Sequence, residues 1–256
     1  MINSFINIDL KEGEKIYFSS DNHLGAPDRS SSLVREKRFV SWLDSIKHNA
    51  KAIFLLGDLF DFWFEYKKVV PKGFVRLLGK LAELTDKEIA VHLFVGNHDL
   101  WMQNYLTEEL GITIHHKPII VEEQNKKLFI GHGDGLGNGD YLYKVLKQVF
   151  TSKVCQFLFA RLHPNFSLSL AQTWSKSSRK SSEVPFASKE KELLFGYCKK
   201  MQKNNPVDYY VFGHRHIPLE LKVDKKATYI NLGEWLSQNT YAVLEEGKLN
   251  LKTYNK

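Results

Sequence analysis

The chain has 256 residues, 43% hydrophobic and 25% charged, which is enough to bury a sizeable core within one domain. With 16 glycines and 7 prolines it is neither disordered nor collagen-like, and no apolar run approaches the length of a membrane span. The formal charge of +7 is uneven: residues 140–203 hold twelve Lys/Arg against four Asp/Glu, and the remainder is close to neutral. Such a basic patch suits an anionic bilayer surface, a phosphate-bearing substrate or a nucleic acid. Cys155 and Cys198 form no CxxC pair or disulfide framework, which points to a reducing compartment. Acids appear near the start before any apolar stretch reaches signal-peptide length, so the expected location is the cytoplasm.

In chain order, residues 15–20 read as a core strand leading to Asp21 and His23. Gly25-Ala26-Pro27 turns the chain away, and residues 31–48 have helical spacing through Leu33, Phe39, Leu43 and Ile46. A strand over 52–56 stops at Gly57 and Asp58. It reads as buried on both faces and delivers a carboxylate to its C-terminal end, where open α/β sheets place their sites. Phe60, Phe62, Trp63 and Phe64 follow, either to line a cleft or to pack beneath the loop. Pro71 is expected to open a helix running through Leu84, and residues 89–95 form a strand before Asn97-His98-Asp99. A short helix over 100–109 ends at Gly111; strands at 113–116, 119–122 and 128–130 come next, the last leading to His132 and Asp134.

The rhythm changes after Gly135. Residues 141–162 carry an apolar helical stripe, His163-Pro164-Asn165 breaks it, and helices over 167–179 and 188–202 follow. The first two read as an inserted helical cap, at about 136–185, within a single domain spanning 1–256; the third belongs to the core layer. Strands at 208–212, 219–223, 227–232, 240–245 and 248–252 complete the chain, the first of them leading to His214 and His216.

Five strand-like runs therefore end in Asp, His or Asn beside small residues. Divalent ions that handle phosphate need oxygen or imidazole ligands, and two ions about 4 Å apart need one ligand able to bridge them. Asp21, His23, Asp58, Asn97, His132, His214 and His216 offer that set, with Asp58 as the shared carboxylate. Residues i and i+2 of an extended segment point to one side, which would aim Asp21 with His23, and His214 with His216, at one place. One Asp-x-His pair alone has a structural explanation; five such stretches together are hard to explain that way. Mn²⁺ suits the mixed oxygen and nitrogen set, and Fe²⁺, Zn²⁺ and Co²⁺ are compatible. Two divalent ions outweigh two carboxylates and leave a positive shell for a phosphoryl group. His98 then stands where it would contact a phosphate oxygen or protonate a leaving group, with Asp99 to orient it. Asp61 and Asp134 read as supporting or loop-capping acids.

The series Asp21-Asn22-His23, Gly57-Asp58-Leu59-Phe60-Asp61, Gly96-Asn97-His98-Asp99, Gly131-His132-Gly133-Asp134 and Gly213-His214-Arg215-His216 resembles the calcineurin-like metallophosphoesterase superfamily. The resemblance implies an α/β fold of two packed mixed β-sheets flanked by helices. It implies that Asp21, His23, Asp58 and His216 hold one ion, and Asp58, Asn97, His132 and His214 the other.

Asp140 and Tyr143 after Gly135-Leu136, and the cap stretch from Ala171 to Lys180, are further similar to the UDP-2,3-diacylglucosamine diphosphatase family of lipid A biosynthesis. That resemblance implies water attack on the α-phosphorus of an acylated UDP-sugar, giving UMP and 2,3-diacylglucosamine 1-phosphate. Asn97 and His98 would meet the phosphate, and Asp140, Tyr143, Ser177, Arg179 and Lys180 would help hold the sugar and diphosphate. The apolar cap faces and their basic surroundings suit acyl chains and peripheral contact with an anionic inner-membrane surface. No nucleic-acid module and no obligate protein partner is expected. The best-known branch has Arg where this chain has His98, replacing a fixed-charge fork with a group that transfers protons. The alternative enzyme is a soluble nucleotide pyrophosphatase or phosphodiesterase, with a nucleobase pocket in place of an acyl-sized groove. A noncatalytic scaffold leaves the intact ligand set unexplained.

Overall fold

The structure, a computed structural model, describes residues 4–137, 141–182 and 186–255, with the backbone alone for residues 142, 172, 174 and 176–182. The first half contains β1 (Phe5–Asn7), β2 (Lys15–Ser19), α1 (Arg29–Ile46), β3 (Ala50–Leu55), α2 (Val75–Asp86) and β4 (Ala90–Phe94). It continues through α3 (Tyr105–Leu110), β5 (Thr113–His115), β6 (Ile119–Glu123) and β7 (Lys126–Ile130). Four helices follow: α4 (Tyr141–Thr151), α5 (Lys153–Phe159), α6 (Pro164–Ser182) and α7 (Leu193–Asn204). The chain closes with β8 (Tyr209–Phe212), β9 (Pro218–Lys222), β10 (Thr228–Leu232), β11 (Thr240–Glu245) and β12 (Lys248–Thr253).

The strands form two six-stranded mixed sheets, ordered β1-β6-β7-β8-β10-β9 and β12-β11-β2-β3-β4-β5. Strands β2 to β5 run parallel, so their C-terminal ends lie along one rim; β7 and β8 run parallel in the other sheet. Alternation along each strand sets the layers. Ile16, Phe18, Ala52 and Phe54 point between the sheets, whereas Tyr17, Ile53 and Leu55 point outward beneath α1 and α2. On the far side, Leu194, Phe195 and Cys198 of α7 cover Phe129, Tyr210 and Phe212. Both faces of the central strands are thus buried, which is why they read as unbroken apolar runs.

Several helix boundaries differ from the sequence expectation, each for a tertiary reason. α2 starts at Val75, because Gly73 and Phe74 are left-handed and Glu36 of α1 accepts the N–H groups of Arg76 and Leu77 at 3.0 and 3.1 Å. α3 covers only Tyr105–Leu110: Trp101 bridges to Phe64, and Glu65 accepts the N–H groups of Gln103, Asn104 and Tyr105. The stripe at 141–162 is two helices, since Ser152 is extended and caps α5 by accepting from Cys155 N at 3.2 Å. Pro164 does not merely interrupt the pattern; it is the first residue of α6. α7 begins at Leu193, after a turn in which Glu192 N donates to Lys189 O. Strand β1, three residues long, escaped the sequence reading. No helix among the described residues is long and apolar enough to cross a membrane.

Candidate active site

The site lies on the rim where β2, β3, β4, β7 and β8 end. Each strand is followed within four residues by a candidate ligand: Asp21, Asp58, Asn97, His132 and His214 respectively. The loops are tied to one another through their backbones. Asp21 N donates to Gly57 O at 3.1 Å, His23 N to Asp58 O at 2.9 Å, and Gly213 N to His132 O at 2.9 Å. Gly57, at φ 89°, packs so closely that an added Cβ would sit 2.6 Å from His132 Nδ1.

The aim of the ligands has a different origin from the one expected. Asp21, His23, Asp58, His214 and His216 are all left-handed, with φ between 44° and 69°. They are not members of an extended segment, so the i, i+2 rule does not apply to them. Non-glycine residues in this region cost of order 1–3 kcal/mol each and persist only where the surroundings over-determine them. Five of them in one cluster mark a site whose backbone strain is offset by the sandwich beneath.

The side chains converge in two halves. In the first, His23 Nε2 and His216 Nε2 are 3.0 Å apart, and Asp21 Oδ1 lies 3.2 Å from His216 Nε2 and 3.8 Å from His23 Nε2. In the second, Asn97 Oδ1 lies 2.9 Å from His214 Nδ1 and 3.1 Å from His132 Nε2. Asp58 stands between them. Its Oδ1 accepts from His98 N at 2.8 Å, and its Oδ2 lies 3.3 Å from His132 Nε2 and 3.7 Å from His23 Nε2. Four of these residues, Asp21, His23, Asp58 and His216, bring one ligand atom each within 4.8 Å of all the others.

This donor set fits divalent cations. Asp21 Oδ1 and His216 Nδ1 are buried without a hydrogen bond, and two imidazole nitrogens face each other. Such crowding is costly in a protein interior unless a cation shares the donors. Electrostatics agree. Burial alone would push the Asp58 carboxyl up, but the imidazoles of His132, His98 and His23 hold it well below its ordinary range. Burial likewise opposes charge on His132, yet Asp58 and Asp21 raise its pKa to about 10. The field that favours an imidazolium here would equally favour a metal cation. His132 Nδ1 donates to Leu56 O at 2.7 Å, which leaves Nε2 as the ligand atom.

His98 sits at the edge of the cluster, its ring 4.6 Å from that of His23, and burial pushes its pKa down to about 4. Asp99 does not orient it, contrary to expectation. The Asp99 carboxylate accepts Gly96 N at 2.8 Å and Phe60 N at 3.3 Å, so it shapes the loop; burial, then Asp58, pushes its pKa to about 7. Asp61 is the acid that faces His98, with Oδ1 3.7 Å from His98 Nδ1 and 3.5 Å from His23 Nδ1. Tyr143 of α4 and Lys147 one turn later both donate to Asp134 Oδ2. Asp140 lies outside the described residues, as do the side chains of Ser177, Arg179 and Lys180 on α6.

Three contributors have no role assigned from the sequence. Arg35 of α1 donates to His23 O at 2.7 Å and to Ala26 O, holding the first ligand loop. Glu192 accepts from Arg215, between the two histidines of the last loop, at 3.1 Å. Ser175 of α6 lies 2.8 Å from His98 Nδ1. Of the aromatics after Asp58, Phe60 and Trp63 stack in the core, while Phe62 reaches the solvent side. There, from Asn97 and His98, an apolar cleft opens, its wall formed by Phe62, Trp101, Leu146, Phe150, Cys155 and Phe159, with the Trp101 and Phe159 rings packed 4.5 Å apart. Trp101 Nε1 donates to Phe150 O at 2.6 Å, pinning the end of α4 to this wall.

Comparison with known proteins agrees with this geometry. The family described as calcineurin-like phosphoesterase matches residues 14–218. A UDP-2,3-diacylglucosamine hydrolase of Porphyromonas gingivalis is 39% identical, over 93% of this chain and 97% of that protein. Proteins of the same name from Aeromonas hydrophila and Neisseria meningitidis are 26% and 27% identical, covering 93% and 88% of this chain and 97% and 91% of their own. With five ligand-bearing loops on one rim and a family match across most of its length, the chain belongs to the calcineurin-like phosphoesterase family.

Proposed function

We propose that the protein is a two-metal hydrolase of UDP-2,3-diacylglucosamine, releasing UMP and 2,3-diacylglucosamine 1-phosphate. The observation that carries the substrate is the apolar cleft that opens directly from Asn97 and His98. A phosphoryl group at the ligand cluster would leave acyl chains facing Phe62, Trp101 and the helices above. A nucleobase would stack on Phe62 or Trp101 alone, whereas the aliphatic lining beyond them suits acyl chains. The relatives that share this name support the same substrate.

Asp21, His23, Asp58 and His216 would hold one cation, and Asp58, Asn97, His132 and His214 the other, with Mn²⁺ the proposed metal. When bound, the cations supply a lowered water pKa and positive charge for the phosphoryl oxygens. Asp58 is fixed by His98 N so that its second oxygen faces both halves. Water's oxygen forms a bond to the α-phosphorus as the bond to the bridging oxygen breaks, and that oxygen leaves on the sugar phosphate. The negative diphosphate favours the imidazolium of His98, which then donates from Nε2 to a phosphoryl oxygen. Tyr143, Asp140, Ser177, Arg179 and Lys180 are assigned to the sugar and diphosphate.

Exposed apolar side chains on the outer helices, including Val145, Val154, Phe157 and Leu158, support docking on the cytoplasmic face of an anionic inner membrane. The test is UMP release by Mn²⁺-loaded protein from matched acylated and deacylated UDP-sugars in detergent. Preference for the acylated substrate is expected; equal efficiency on both would favour a nucleotide pyrophosphatase.

A further inference from the structure

Ser167, Ala171 and Ser175 recur every fourth residue on α6, and both serines are buried. Ser167 Oγ meets the Tyr66 hydroxyl. Ser175 Oγ lies 2.8 Å from His98 Nδ1, and the same nitrogen is 3.3 Å from the Asp61 carbonyl oxygen and 3.7 Å from Asp61 Oδ1. A carbonyl and a carboxylate only accept hydrogen bonds, so the ring proton belongs on Nδ1. Ser175 provides the one contact of normal hydrogen-bond length, while Asp61 Oδ1 is shared with His23. His98 Nε2 has no partner among the described residues, on a ring that lines the cleft.

We propose that Ser175 is a positioning residue. By accepting the Nδ1 proton it fixes the tautomer and ring plane of His98, so that Nε2 faces the substrate. Proper aim of His98 thereby depends on α6 being docked against the core. The proposal rests on the hydrolase reading above, in which His98 touches the phosphoryl group.

The test measures kcat and KM for wild type, Ser175→Ala, His98→Ala and the double variant, on the acylated UDP-sugar and on bis(p-nitrophenyl) phosphate. Loss of a hydrogen bond that supports a metal-ligating side chain costs about 10–100-fold, and a similar loss is expected for one that aims His98. Ser175→Ala should therefore lower kcat at least about tenfold on both substrates, with KM little changed. The double variant should be no worse than His98→Ala alone. Nitrogen-15 spectra of protein loaded with a diamagnetic divalent cation should show His98 as the Nδ1–H tautomer, and a mixture in Ser175→Ala. If the alanine variant fails to fold, Ser175→Cys, with a weakly hydrogen-bonding thiol, carries the same comparison. Losses that multiply in the double variant, or wild-type kcat and an unchanged tautomer without the hydroxyl, overturn the proposal. Wild type that hydrolyses the diester but not the acylated sugar overturns the substrate reading alone, because the Ser175 comparison still runs on the diester.

Discussion

The ligand loops and helices α4–α6 face each other across the cleft, but their side chains are buried to opposite degrees. Asp21, His23 and Asp58 are at most 1% exposed, each held by the backbone of a neighbouring loop. Val145, Val154, Phe157 and Leu158 on the helices are 56–70% exposed. The loops form a strained frame that cannot shift without disturbing both sheets. The helices present apolar surface that the core does not use. The ligand set is therefore built into the sandwich, and in the function proposed above the choice of substrate and surface falls to the helices that face it.

The sharpest way to break this division is Asp58→Ala. It removes the carboxylate common to both halves, so turnover on every phosphoester should vanish. Metal analysis should show loss of at least one of the two cations. Residual activity on the acylated substrate would mean that chemistry does not depend on the frame.

A smaller effect should follow from Leu146→Asp, which places a charge on the helical wall of the cleft. Efficiency on the acylated UDP-sugar should fall by at least roughly 10–200-fold, the range for a single mismatched methylene, because a carboxylate fits an apolar wall worse still. Activity on bis(p-nitrophenyl) phosphate should stay near wild type. Equal losses on both would tie the helices to the chemical step. Val154→Glu with Leu158→Glu goes further outward. Binding to anionic vesicles should weaken at least about tenfold, since each lost Val or Leu contact is worth up to about 1.5–3 kcal/mol and the new acids are repelled, with the soluble diester again unaffected.

The last effect concerns the frame alone, and is read in stability rather than turnover. His92 of β4 stacks on Phe54 at 4.6 Å, with its Nδ1 3.1 Å from His115 Nε2 on β5. Burial, then the His115 imidazole, pushes the pKa of His92 down to about 4; burial, then His116, does the same for His115. Their folded values lie below the ordinary 6.5, so between these limits the unfolded chain binds more protons. Stability is full above pH 6.5 and falls as pH drops toward 4. Thermal melts from pH 7 to 5 should show a loss of about 1–2 kcal/mol per histidine, and His92→Phe should shrink it.

Much of the frame could be read in advance because its signals are local. Each ligand follows an apolar strand within a few residues, and two-sided burial makes those strands conspicuous. The left-handed turns that aim the ligands were not legible, since ordinary Asp and His residues occupy them. Nor were the trans-acting caps: Glu36 and Glu65 move the starts of α2 and α3 from elsewhere in the chain. In the upper layer the apolar stripe was plain, but Ser152 divided it. Ser175 looked like one serine among many, although its four-residue spacing from Ala171 and Ser167 gave a hint of a close-packed helix face. Asp61 and Asp99 show the limit most clearly. Both are acids beside the motifs, and only the folded chain shows that the first of them faces His98.

The two thiols lie on either side of this divide. Cys155 lines the cleft and is partly exposed, whereas Cys198 is wholly enclosed on the inner face of α7, and burial pushes its thiol up. A mild maleimide dye should consequently modify the wild-type chain at a single position, and an acylated ligand should shield that position. The molecule carries its own optical gauge of cleft occupancy, with no engineered cysteine required.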